Sequence, residues 1–173
     1  MTETRPTGRD DAITGGVLVG LGLGGFVDGI VLHQILQWHH MLTDYGDYDR
    51  FPPGTVADLE DNSLWDGLFH AGTWVLTIVG LVILIGAARR GRSLTLRELV
   101  GLLLMGWGLF NLVEGTIDHH LVTLHHVRDD VAEPLWWDLG FLVLGAALVA
   151  SGLVLWRGRR SEPETPGRNG LSR

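Results

Sequence analysis

The chain of 173 residues is close to one domain in length; it has 13 arginines, no lysine, no cysteine and a net charge of −7. The missing cysteine excludes a disulfide scaffold, a zinc ribbon, an iron–sulfur centre and a cysteine nucleophile. A positive mean hydropathy of +0.21 beside 19% charged residues requires the charges to be segregated along the chain.

Residues 1–12 form a short segment of mixed charge. The apolar run behind them is too long for a signal peptide and ends without a small-x-small site, so no cleaved leader is expected. Four apolar segments follow, at 13–42, 64–88, 94–127 and 135–156. Each exceeds the roughly 20 residues that cross a bilayer as a helix, and the first and third must tilt or project beyond the hydrocarbon. Their hydrophobicity runs around the whole helix, unlike the stripe of a helix in a soluble bundle. Gly16, Gly20 and Gly24 make a small-xxx-small stripe that lets membrane helices approach closely, as do Gly25 and Gly29. The expected fold is all-α, an integral membrane four-helix bundle over residues 13–157. The remaining residues, 158–173, are rich in Pro, Gly, Glu and Arg and are expected to be a disordered tail.

Arginine placement sets the orientation. Arg89, Arg90, Arg92 and Arg97 link the second and third segments, and Arg157, Arg159, Arg160, Arg168 and Arg173 follow the fourth. The other two loops hold one arginine each and are acidic, at 44–61 and 129–133. Both termini are therefore expected in the cytoplasm, with the protein multi-pass in the plasma membrane. Trp38, Trp65, Trp136 and Trp137 then fall near the outer interface and Trp156 near the inner one, as an aromatic belt requires.

The chain also resembles itself. Asp28-Gly-Ile-Val-Leu-His33 matches Glu114-Gly-Thr-Ile-Asp-His119 at an offset of 86, which also superposes His39 and His40 on His125 and His126. Leu64-Trp-Asp66 matches Trp136-Trp-Asp138 at an offset of 72. The expectation is two repeated helical hairpins in the same orientation, with sites at the repeat interface as in transporters built this way. The copies differ at Asp118 against Leu32, His120 against Gln34 and His70 against Leu142, so one asymmetric site is expected rather than two equal ones.

All eight histidines and five acids of the apolar segments fall in one slab, the outer half of the membrane. At 100° per residue, Asp28 and His39 are about 20° apart on the first helix, and Glu114, Asp118 and His125 fall within about 40° on the third. A second face carries His33 with His40, and its partner His119 with His126; Asp66 and His70 share a face of the second helix. Intramembrane charge costs several kcal/mol per group and marks functional sites. Packing alone explains one such residue as well as ligation does, but it does not require so many titratable groups in one slab. Carboxylates and imidazoles projected inward from facing helices are the ligand set of a bundle-core metal site. The candidate ligands are Asp28, His33, His39, His40, Asp66, His70, Glu114, Asp118, His119, His125, His126 and Asp138. Iron, copper, zinc or manganese suits such donors. Calcium and magnesium would not need the imidazoles, and three methionines without cysteine argue against a copper(I) relay. Haem, held by His33 and His119 or by His39 and His125, ranks below these because it leaves the carboxylates unexplained.

The stretches Gly25–His40, Leu64–His70, Gly106–His120 and Leu124–Arg128 resemble a family of prokaryotic predicted membrane proteins catalogued as a domain of unknown function. The resemblance covers residues 13–157 and implies a four-helix integral membrane protein, without an activity.

Two main functions fit. One is a metal-dependent protein, with an oxidoreductase the leading form, the spare carboxyls moving protons, and the loop with Phe51-Pro-Pro-Gly54 as a cap over the site. The other is a metal-ion or proton-coupled transporter. Four helices are few for that unless a homo-oligomer forms, and the inner half offers no polar path. A metal-holding accessory factor uses the same residues, and a redox or metal-delivery partner goes with either metal reading. No phosphate-loop, serine-hydrolase or nucleic-acid motif is present, so the bilayer is the partner the sequence itself requires.

Overall fold

A computed structural model describes residues 8–43, 54–122 and 124–158. Its elements are four long helices: α1 (Gly8–Ile35), α2 (Val56–Arg89), α3 (Leu96–Leu121) and α4 (Leu135–Arg157). All four are long and apolar enough to cross a membrane, and no strand occurs among the described residues. Residues 44–53, with most of the expected cap, and the tail from 159 lie outside the described residues.

Local chemistry sets the helix starts. Thr55 accepts the Asp58 N–H while the Asp58 carboxylate accepts the Thr55 N–H, at 3.1 and 2.8 Å. This reciprocal cap starts α2 at Val56, eight residues before the apolar run at Leu64. Thr95 and Glu98 form the same device at the start of α3.

The helix ends depart most from expectation. Helix α1 stops at Ile35 rather than residue 42, and α3 at Leu121 rather than 127. In both, the final segment widens into π-helix, over Asp28–Ile35 and Ile117–Leu121. Leu36 N–H donates to Val31 C=O at 2.8 Å, and Val122 N–H to Ile117 C=O at 2.8 Å. The wider bond from Trp38 N–H to Leu32 C=O is matched by Leu124 N–H to Asp118 C=O, both 2.9 Å. Gln37 then takes a left-handed φ of 50°, which turns the chain back across the helix end.

In space the helices follow the order α2, α1, α3, α4, with α1 on α2, α1 on α3 and α3 on α4 as the principal pairings. Glycine makes each contact close. A Cβ on Gly15 would lie 2.9 Å from the Gly80 carbonyl, and one on Gly101 would lie 2.9 Å from the Gly152 carbonyl. Gly20 and Gly106 meet backbone to backbone where α1 crosses α3. The pairs Gly15–Gly80 and Gly101–Gly152 stand at the offsets of 86 and 72 seen in the sequence. Outer helices α2 and α4 turn large apolar side chains outward, among them Trp74, Val82, Val143 and Val154, as a hydrocarbon solvent permits. At the arginine-rich end, Arg90 pairs with Asp11, and Arg92 with Glu98 at 3.3 Å.

Candidate metal centre

The C-terminal ends of α1 and α3 and the segments beyond them deliver six side chains to one buried cluster: Asp28, His33 and His39 from α1 and its extension, and Glu114, His119 and His125 from α3 and its extension. All six are at least nine-tenths buried. His33, His39 and His125 bring ligand-type atoms within 4.8 Å of one another, and so do Glu114, His119 and His125. The two triads share His125, so the cluster is continuous. His39 and His125 stack at its centre, ring centroids 4.4 Å apart and 6° from parallel.

A layer behind these residues fixes the rings. His33 Nδ1–H donates to Asp66 Oδ1 at 2.9 Å and His40 Nδ1–H to Asp66 Oδ2 at 2.7 Å. Asp66 also accepts Met41 N–H at 2.9 Å and the Gln34 amide at 3.2 Å. On the other half, Asp138 accepts Val127 N–H at 2.9 Å and His126 Nδ1–H at 2.7 Å, with His119 Nδ1 3.5 Å away. His39 Nδ1–H donates to the Val127 carbonyl at 2.8 Å. With Nδ1 so occupied, His33 and His39 are left Nε2 as the coordinating lone pair, the second-layer arrangement that orients ligating imidazoles.

The inner atoms have a different character. His33 Nε2 lies 3.1 Å from Asp28 Oδ2, and His119 Nε2 lies 2.9 Å from Glu114 Oε1. Neither Nε2 is aligned as a hydrogen bond. Asp28 Oδ1, Glu114 Oε2, His39 Nε2 and His125 Nδ1 are likewise buried without a hydrogen-bond partner among the described residues. Each such atom costs about 1–3 kcal/mol when nothing satisfies it. Two donors bound at about 2.1 Å to one ion, at 90–110°, stand about 3.0–3.4 Å apart, close to the 3.1 and 2.9 Å of these two pairs; a third pair, His125 Nε2 and Glu114 Oε1 at 3.2 Å, is aligned as a hydrogen bond. His39 lies beyond the end of α1. Burial, then the nearby His125 and His33 rings, holds its imidazole well below the ordinary value, so it is a neutral ring available as a ligand.

The structure thus sorts the sequence candidates. Asp66, Asp138, His40 and His126 stand behind the cluster, both carboxylates and the two Nδ1 atoms committed to hydrogen bonds. His70 donates Nδ1–H to the Asp66 carbonyl in its own helix at 2.6 Å and packs beside Phe26 and Phe69; it is not in the cluster. Asp118 is half-buried and within electrostatic reach of Glu114 and His125, outside both triads. The expected separate faces, His33 with His40 and Asp28 with His39, are corrected. Helix geometry of 100° per residue ends at Asp28, and the turn at Gln37 brings His39 back against His33, ring centroids 4.4 Å apart. Sequence reasoning missed Asn62, which accepts Leu42 N–H at 3.2 Å, and the buried Asn111. Both carried a signal: Asn62 is four residues before Asp66, and Asn111 three before Glu114, on the same helix faces.

The model of a family described as predicted membrane proteins matches residues 15–159. The chain belongs to this family, DUF2243. No curated protein and no solved structure matches it. Family membership and the four spans make the chain an integral membrane protein, in contact with lipid. The motifs that mark the family resemblance, around Asp28–His40, Asp66 and Glu114–His126, are the ones that build the cluster.

Proposed function

We propose that this DUF2243 protein holds a transition-metal centre in the outer half of the plasma membrane, with both termini cytoplasmic, and acts as a metal-dependent oxidoreductase. The single observation that carries the reading is the pair of carboxylate–imidazole separations, Asp28–His33 at 3.1 Å and Glu114–His119 at 2.9 Å, without hydrogen-bond alignment at the imidazole nitrogen. Asp28, His33, His39, Glu114, His119 and His125 are the ligands. Asp66 and Asp138 are positioning residues, holding imidazoles by Nδ1. A ligand set of four imidazoles and two carboxylates is hard-to-borderline, suiting iron or manganese first, then zinc or copper(II). When bound, iron, manganese or copper would supply one-electron chemistry, which zinc cannot; the chain's own part is to orient the imidazoles and exclude water through the surrounding helices. The equivalent hydrogen bonds and glycine contacts at offsets of 86 and 72 support a duplicated hairpin whose two copies meet at this centre.

Transport through the same residues is disfavoured by the glycine crossing of α1 and α3 at Gly20 and Gly106, which brings the helix backbones together below the cluster. The test is elemental analysis with an optical spectrum on protein purified in detergent. Metal in at least equimolar amount, lost in the His39→Ala/His125→Ala double variant, supports the reading. Metal-free wild-type protein after growth in metal-replete medium overturns it. Ion flux into liposomes that Asp28→Asn abolishes would establish transport instead.

A further inference from the structure

A second feature adjoins the cluster. Helices α1 and α4 stand on either side of α3 without being a principal pairing, and between them lies a cavity of about 550 Å³. This is room for a small-molecule ligand. Its walls are aromatic: Trp38, Trp107, Trp136, Trp137 and Phe141 all line it. Among the described residues, Asp28 and Asn111 are the only lining side chains with carboxylate or amide groups. Both are at least nine-tenths buried, and Asp28 Oδ1 and Asn111 Oδ1 have no hydrogen-bond partner among the described residues. Trp136 and Leu144, two turns apart on α4, line the cavity and are also exposed on the apolar outer surface, so the cavity opens sideways towards lipid. At its outer end Trp38 and Trp137 meet edge to face at 5.1 Å, with the Arg128 guanidinium 5.2 and 5.0 Å from their ring centres.

These properties specify a ligand. Indole walls take a flat ring. Two buried acceptor oxygens without donors call for ligand groups that donate, as hydroxyls do, because an unmet acceptor in an apolar slot is costly. A lateral opening admits a molecule dissolved in the bilayer. We propose that the cavity binds a lipophilic hydroquinone, its ring between the tryptophans, its hydroxyl groups donating to Asp28 and Asn111, and its tail leaving between α1 and α4. The inference deepens the metal-centre reading, since Asp28 faces both the cavity and His33, but binding itself needs no metal.

The test uses a decyl-substituted hydroquinone, kept reduced under anaerobic conditions, and the quenching of tryptophan fluorescence in full-length protein in nanodiscs. Three further probes separate the sources of affinity: the dimethyl ether of the same compound, 1-decanol and decylbenzene. Saturable quenching by the hydroquinone is expected, with the ether at least tenfold weaker and neither decanol nor decylbenzene competing. Equal binding of hydroquinone and ether, or full competition by decanol or decylbenzene, overturns the proposal. Gly140 lines the cavity, and a Cβ there meets nothing within 4 Å, so Gly140→Leu starts its side chain in open space and takes up cavity volume. It is expected to lower hydroquinone affinity at least tenfold while metal content stays at the wild-type level; unchanged affinity overturns the proposal. Metal-loaded protein that fails to bind the hydroquinone refutes this inference alone, and metal-free protein that binds it refutes the metal centre alone.

Discussion

Replacing Asp66 by Asn tests the layer behind the cluster with almost no change of shape. The two carboxylate oxygens accept four N–H groups, from His33, His40, Met41 and Gln34. An amide keeps one oxygen and puts an NH2 where the other stood, so two of those donors face a donor. A buried donor left unmet costs about 1–3 kcal/mol, which gives about 2–6 kcal/mol to be divided between fold stability and ring orientation. Whichever oxygen is lost, either His33 or His40 loses its anchor. If the amide nitrogen faces His33, its Nδ1 no longer holds Nε2 towards Asp28. Loss of such an orienting carboxylate typically weakens metal affinity 10–100-fold. Thermal melts of the metal-free protein in detergent measure the first part, and metal titration against a competing chelator the second. The expected result is a lower melting temperature and at least tenfold weaker metal binding. Wild-type metal affinity in both Asp66→Asn and Asp66→Ala, the second of which removes both acceptors, would refute the claim that Asp66 acts by positioning His33.

Other expectations follow from the same geometry. His70→Ala should leave metal content within twofold of wild type, because His70 is tied to its own helix and lies outside both triads; loss of metal on elemental analysis would return it to the ligand set. Gly106→Val places a side chain against the Val17 carbonyl and the Gly20 backbone, so the α1–α3 crossing must open. Overpacking of this kind costs about 1–3 kcal/mol or more, visible as a lower melting temperature, while Gly72→Ala, with nothing within 4 Å, should melt like wild type. The depressed value of His39 fixes a pH dependence. Below about pH 6.5 the unfolded chain protonates this ring, whereas the folded metal-free protein does not. That share of stability is therefore full above about pH 6.5 and is lost as pH falls. Metal-free His39→Gln should lose less stability than wild type between about pH 7.5 and about pH 5.5 in detergent melts; an equal loss would contradict the assignment.

The four spans were legible because a bilayer demands about 20 apolar residues per crossing, and nothing else in the chain competes with that pattern. The chemistry of the cluster was legible as well, since Asp28, Glu114 and their histidines are costly in apolar segments and stand out by residue type alone. What periodicity could not supply was the path of the chain after Asp28 and Glu114. A helical wheel assumes one twist from end to end. The π-helical turns change the angle per residue, and the left-handed Gln37 reverses the chain, so His33 and His39 converge although a regular helix places them on different faces. The division of labour among carboxylates was hidden for a related reason. Asp28 and Asp66 are the same residue type at similar depth, and the donors carried round by that reversal, the His40 ring and the Met41 N–H, commit Asp66 to hydrogen bonds while Asp28 Oδ1 has no hydrogen-bond partner among the described residues. The expected cap at Phe51–Gly54 rests on sequence alone.

The central claim is that imidazole nitrogen and carboxylate oxygen from two helices share a metal. X-ray absorption at the metal edge of the purified protein tests it most directly. The account predicts a shell of nitrogen and oxygen at about 2.0–2.2 Å, with the outer-shell scattering of several imidazoles and no sulfur. Scattering from fewer than two imidazoles, or no bound metal in protein from metal-replete cells, would contradict it.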